Sequence, residues 1–143
     1  MPDLSRFHDA QSDTYATALA ELRAGRKATH WMWFIFPQLA ELGRSATAKY
    51  YGIEDLAEAR AYLADPVLGP RLEEAAEAVL THPGLSAKEI MGPIDGMKLR
   101  STATLFRAAG GGAVFQRLLD TFYDGDPCPR TLEALSREGH VPR

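Results

Sequence analysis

Cys128 is the only thiol in the chain, which excludes an intramolecular disulfide and a thiolate metal cluster. A lone cysteine fits a reducing compartment. The opening Met1-Pro2-Asp3-Leu4-Ser5-Arg6 lacks the basic and apolar regions of a secretory signal, so a cytoplasmic location is expected. Long apolar runs are missing, and with them any transmembrane helix, so no membrane partner is expected. Positive charge is not in excess: 16 Lys and Arg stand against 19 Asp and Glu, net −3, leaving no overall field to attract nucleic acid. The four histidines, His8, His30, His82 and His140, show no metal-ligand spacing, so neither a metal site nor a cofactor is expected. Repeats and low-complexity tracts are absent, and no run alternates at period two, so strands are not expected.

What remains is helical periodicity around one dense aromatic block. At 143 residues the chain is long enough for a single domain with its own core, and we read 1–143 as one mainly α, multi-helix domain of about seven to eight helices. Leu4, Phe7, Gln11, Tyr15, Ala18, Leu19 and Leu22 recur at three- and four-residue steps, predicting a first helix capped by Asp3 or Ser5 and ended at Gly25. Ser45 caps a short helix through Tyr50 and Tyr51, and Asp55 to Leu63 forms another, stopped by Asp65-Pro66. Leu68 to Leu80 is amphipathic and ends at His82-Pro83-Gly84. After one helical turn at Ser86 to Ile90, Gly92-Pro93 opens a helix to Ala109; Ala113 to Tyr123 and Thr131 to Arg137 complete the set.

The block His30-Trp31-Met32-Trp33-Phe34-Ile35-Phe36-Pro37-Gln38 holds both tryptophans and two of the six phenylalanines. Phe34, Ile35 and Phe36 are expected in the core. Trp31, Trp33 and His30 are equally compatible with the core and with the wall of a small-molecule pocket. The basic stretch Arg23-Ala24-Gly25-Arg26-Lys27 fits a cationic helix end with a glycine stop better than a phosphate patch. Gly110-Gly111-Gly112 lacks the strand of a phosphate loop, Asp124-Gly125-Asp126 lacks the later acids of a calcium loop, and Cys128 between two prolines fits a constrained surface loop rather than a nucleophile.

Polar residues on apolar helix faces carry the sharpest signal. From Ile94 to Ala109, the residues Ile94, Leu99, Leu105, Phe106 and Ala109 share one side; Asp95, Lys98 and Thr102 fall on that side, with Ser101 at its edge, while Arg100, Thr104 and Arg107 point away. An acid, a base and hydroxyls on a buried face must satisfy one another, as a structural network or as a site. Asp95 at a helix start also fits an N-cap, and Lys98 a local ion pair. Gln11 repeats the anomaly between Phe7 and Tyr15, so Gln11, His30, Gln38, Tyr50, Asp95, Lys98 and Ser101 are candidates to converge.

The aromatic block, the Gly43-Arg44-Ser45 turn, and Asp95-Gly96-Met97-Lys98-Leu99-Arg100-Ser101 through Thr104-Leu105-Phe106 resemble a bacterial family of unknown function, the domain-of-unknown-function 1810 family. The likeness runs from Phe7, Ala10, Gln11 and Tyr15 to Thr131-Leu132 and implies a small, mainly helical cytosolic domain. Members are often labelled calpastatin. True calpastatin acts through disordered repeats, whereas this chain is periodic, aromatic and unrepeated. Size, helical character and the buried polar set are also similar to those of the helical ADP-ribose and riboflavin-intermediate N-glycosidases, a likeness that implies a substrate class only.

These features lead to the expectation of a ligand-binding domain for a phosphorylated, nucleotide-like or ADP-ribose-like metabolite, with N-glycosidase-like hydrolysis as its chemistry. Trp31 and Trp33 stack on the ring, Lys98 with Lys27 or Arg100 holds a phosphate or developing anion, and Asp95 acts as general base for water or stabilises an oxocarbenium-like transition state. His30 or Gln11 orients the ligand, and Gln38, Ser45, Tyr50 and Ser101 are further candidate ligand contacts. The competing expectation is a non-catalytic protein-interaction module whose polar network fixes helix packing.

Overall fold

A computed structural model describes residues 3–138, and His140 lies outside them. Among the described residues ten α-helical segments follow one another, seven of them eight residues or longer: α1 (Ser5–Ser12), α2 (Tyr15–Arg23), α3 (Met32–Ile35), α4 (Ala46–Tyr50), α5 (Leu56–Ala64), α6 (Leu68–Leu80), α7 (Ala87–Met91), α8 (Pro93–Ala108), α9 (Val114–Phe122) and α10 (Pro129–Arg137). A 3₁₀ turn, Ala40–Leu42, sits between α3 and α4. Among the described residues the extended chain makes one isolated bridge, Leu39 beside Ile53, with Ala40 N–H donating to the Ile53 carbonyl at 2.8 Å. The mainly α expectation holds.

Most boundaries follow from local chemistry. Ser45 accepts from Ala48 N–H at 3.0 Å, so the predicted cap is made, and Asp55, expected as the first residue of its helix, instead caps it, accepting from Glu58 N–H at 2.8 Å. Ser86 and Glu89 form a reciprocal capping box on α7. Gly92, at φ +91°, ends α7, and Pro93 opens α8 immediately, so the two helices meet at one sharp corner.

The first helix departs from expectation. It divides at Asp13-Thr14 into α1 and α2. Ser12, Asp13 and Thr14 are weak helix formers because their side chains compete for backbone groups, and the Ser12 hydroxyl does so, donating to the Asp9 carbonyl at 2.9 Å. The Asp3 carboxylate accepts from Ser5 N–H at 2.9 Å just ahead of α1. Gly25 ends α2 as expected: at φ +80° its N–H donates to the Leu22 carbonyl and Arg26 N–H to the Glu21 carbonyl, both at 3.0 Å, a Schellman motif.

α8 is the central element, packed against α5, α7, α9 and α10, while α6 packs against α2, α5 and α9. A chain of aromatic contacts crosses the core from Phe7 to Tyr62 (centroids 5.1 Å), to Phe106 (5.3 Å), to Phe115 (5.8 Å). Because neighbours cover α8 on several sides, Ser101 to Phe106 are all buried. This corrects the expected face. Thr104 points inward, its hydroxyl accepting from Cys128 N–H at 2.9 Å, and Arg107 is half-buried. Ile94, assigned to the apolar side, is 70% exposed.

Candidate functional site

The N-terminal half of α8 brings part of the expected set together. Asp95 stands between two lysines, Oδ2 3.0 Å from Lys27 Nζ and Oδ1 3.5 Å from Lys98 Nζ. Lys27 reaches it from the turn after α2, which is pinned by Lys27 N–H donating to the Ile90 carbonyl at 2.7 Å. Its ammonium also donates to the Thr29 carbonyl at 2.6 Å and lies 4.9 Å from the Trp31 ring centre. Lys98 Nζ lies 5.2 Å from the ring of Trp33. The network is two ammonium groups on one carboxylate, each over an indole.

Behind it lies a residue that helical phase did not single out. Glu21 accepts from Ala28 N–H (2.7 Å), Thr29 N–H (3.0 Å), Thr29 Oγ1 (2.6 Å) and Trp31 Nε1 (2.9 Å). Burial opposes ionisation of this carboxyl, but these donors outweigh it and hold its pKa at about 2. They shape the loop that presents Lys27. No spacing rule marks Glu21, because all four of its donors come from loop residues.

A cleft of about 750 Å³ opens in front of Trp33, floored by α8 and walled by the Gly43–Ser45 turn and the start of α10. Gln38, Ser45, Lys98, Arg100 and Ser101 line it, as does the half-buried face of Trp33. A smaller cavity of about 320 Å³ holds Lys27, His30 and Asp95 and adjoins the cleft at Trp33 and Lys98. Gly96 lets α8 approach the backbone of α7; a Cβ there would stand 3.3 Å from the Ala87 carbonyl group. The Tyr123 hydroxyl donates to the Gly96 carbonyl at the cleft wall.

Charge distinguishes this cleft. Arg44, Lys88, Lys98, Arg100 and Arg130 line it, and among the described residues no carboxylate does. Of these five, again among the described residues, only Lys98 forms a salt bridge; Arg100 spends Nε on the Asp126 carbonyl at 2.8 Å. A protein of net charge −3 thus concentrates five of its 16 cationic side chains around one concavity. Low-dielectric walls focus such a field outward. Arg44, Lys88 and Arg130 carried no periodic signal: Arg44 sits in a turn, Lys88 on a five-residue helix and Arg130 in the first turn of α10.

Three expected ligand contacts belong elsewhere. Trp31 is fully buried, its ring against Phe36 and beneath Lys27, and so offers no face to a ligand. Gln11 is satisfied in the core, donating to the Phe34 carbonyl at 2.7 Å and to the Tyr62 hydroxyl at 3.1 Å. Tyr50 is 60% exposed, packs edge-on against Tyr51, and lines neither cavity. Cys128, read as a surface loop, is half-buried and lines the cleft, accepting from Ser101 Oγ at 3.3 Å.

The family model described as "Protein of unknown function (DUF1810)" matches residues 1–135. The chain is also similar to the crystal structure of the conserved hypothetical protein Rv1873 from Mycobacterium tuberculosis, with a TM-score of 0.92 and 48% identity over 94% of this chain and 96% of that one. No curated protein matches.

Proposed function

The chain belongs to the DUF1810 family, and from the geometry of its cleft we propose that it binds a phosphorylated, nucleotide-like metabolite there. The observation that carries this reading is the set of five cations, of which among the described residues only Lys98 is paired with a carboxylate, around a concavity walled by a half-buried indole. Phosphate oxygens take charge-assisted hydrogen bonds from guanidinium and ammonium groups, and a flat ring stacks on an indole face. The volume lies within the roughly 300–1,000 Å³ of small-molecule sites.

Binding has more support than hydrolysis. Asp95 is in the smaller cavity, and both its oxygens face ammonium groups, so the cleft receives cations rather than a free general base. Asp95→Asn separates the two cases: loss of turnover with binding retained would establish glycosidic hydrolysis, and no turnover in wild type would leave a binding protein. A thermal-shift panel of nucleotides, ADP-ribose and phosphorylated sugars tests the binding itself. A ligand that raises the melting temperature of wild type but not of Trp33→Ala or Lys98→Ala supports the reading, and no shift across the panel overturns it. One observation favours the interaction module instead: Ile94 and Met97 are 70% and 73% exposed beside the cleft. Loss of binding to a captured protein on Ile94→Asp, without metabolite protection, would mark that alternative.

A further inference from the structure

We propose that the smaller cavity beside the cleft is a hydroxyl-recognition subsite, and that the ligand is therefore a pentose phosphate, free or within a nucleotide, whose sugar carries vicinal hydroxyls. The inference rests on the anion-binding reading of the cleft and names the group that stands next to the anion. The two concavities share Trp33, Pro93, Ile94 and Lys98, so a phosphate held by Lys98 in the cleft stands at the border of the smaller cavity.

Charge makes the two unlike. The cleft is lined by five cations and, among the described residues, by no carboxylate. The smaller cavity, about 320 Å³, is lined by the Asp95 carboxylate together with Lys27 and Lys98. Both ammonium groups are drawn to that carboxylate, at 3.0 and 3.5 Å, and Lys27 also donates to the Thr29 carbonyl at 2.6 Å. A phosphate entering here meets a negative wall and cations already engaged, so the anion belongs in the cleft.

What the smaller cavity keeps open suits a different group. Each Asp95 oxygen faces one ammonium and retains a lone pair, and the Lys27 ammonium retains a donor beyond those given to Asp95 and Thr29. The Asp95 side chain is 20% exposed, against 8% for Lys27, so its acceptors are the more accessible. A purely apolar group placed here would strip water from these atoms and return nothing. A hydroxyl both donates and accepts, so two neighbouring hydroxyls satisfy the carboxylate and a lysine together. Met32, Met91 and Pro93 complete the lining and offer apolar contact to the carbons of a sugar.

Calorimetric titration of the full chain with inorganic phosphate, ribose 5-phosphate and 2-deoxyribose 5-phosphate tests the assignment, because the two sugars share the phosphate and differ by one hydroxyl. The proposal predicts that wild type binds ribose 5-phosphate about tenfold tighter than the deoxy sugar, the worth of one hydrogen bond to a charged acceptor. In Asp95→Asn that ratio falls toward parity while inorganic phosphate still binds. Equal affinity for the two sugars in wild type overturns the proposal, and that comparison depends on no variant folding. A ratio that survives in Asp95→Asn overturns it as well. If both sugars bind equally and Arg44→Gln/Arg130→Gln weakens both, the subsite alone fails; if neither the sugars nor phosphate bind, the cleft reading fails with it.

Discussion

The two tryptophans, two positions apart, have opposite fates. Trp31 is enclosed and donates to Glu21, whereas Trp33 keeps part of its face in the cleft under Lys98. Removing Trp31 therefore leaves a core cavity: Trp31→Ala should cost roughly 3–5 kcal/mol by urea denaturation. Trp33→Ala should cost about 1–2 kcal/mol, because its burial is incomplete, and should abolish ligand protection. Equal losses in stability would contradict the distinction. Glu21 gives a pH signature. Its folded pKa of about 2 lies below its ordinary 4.5, so ionised Glu21 stabilises the fold above about pH 4.5, and that contribution is lost as pH falls toward 2. Glu21→Gln should reduce stability at neutral pH, with the gap from wild type closing through that window. A gap independent of pH would show that the carboxylate is not the group that matters.

At the scale of elements, the corner between α7 and α8 sets the cleft. Gly92 holds φ +91° and ψ 161°, a region essentially confined to glycine, and a Cβ added there would meet nothing within 4 Å. Gly92→Ala should therefore cost of order 1–3 kcal/mol through backbone strain alone and should weaken ligand binding by tilting α8. Gly84→Ala, equally unobstructed and at no positive φ, should leave the urea midpoint near wild type. A neutral Gly92→Ala would show that the corner is not a fixed feature of the site. Capping residues, proline positions and apolar spacing made these helices legible in the sequence, down to the cap at Ser45. The break at Asp13-Thr14 was hidden because both halves continue one apolar stripe. Thr104 was misplaced because helical phase gives one buried face, while α8, covered on several sides, buries nearly its whole circumference from Ser101 to Phe106.

Across the whole molecule, the same limit governs the site. Phase placed Asp95, Lys98 and Ser101 together because they share one helix. The unexpected cleft cations Arg44, Lys88 and Arg130 come from three separate elements, whose approach depends on tertiary packing. Gln11, by contrast, was legible as a buried amide needing partners but not as one satisfied wholly within the core. What emerges is a charge distribution that total composition conceals: an acidic chain with a cationic concavity. Binding there should be salt-sensitive, because at about 1 M salt the screening length falls to about 3 Å.

The most direct test is calorimetric titration of ADP-ribose into wild type and into the Arg44→Gln/Arg130→Gln double variant, at low and at high salt. Each lost charge-assisted hydrogen bond is worth about 1.5–3 kcal/mol, so the account predicts saturable wild-type binding that weakens more than about tenfold in the variant and falls with salt. Binding of equal strength in both proteins, unmoved by salt, would contradict the claim that the cationic cleft is the site.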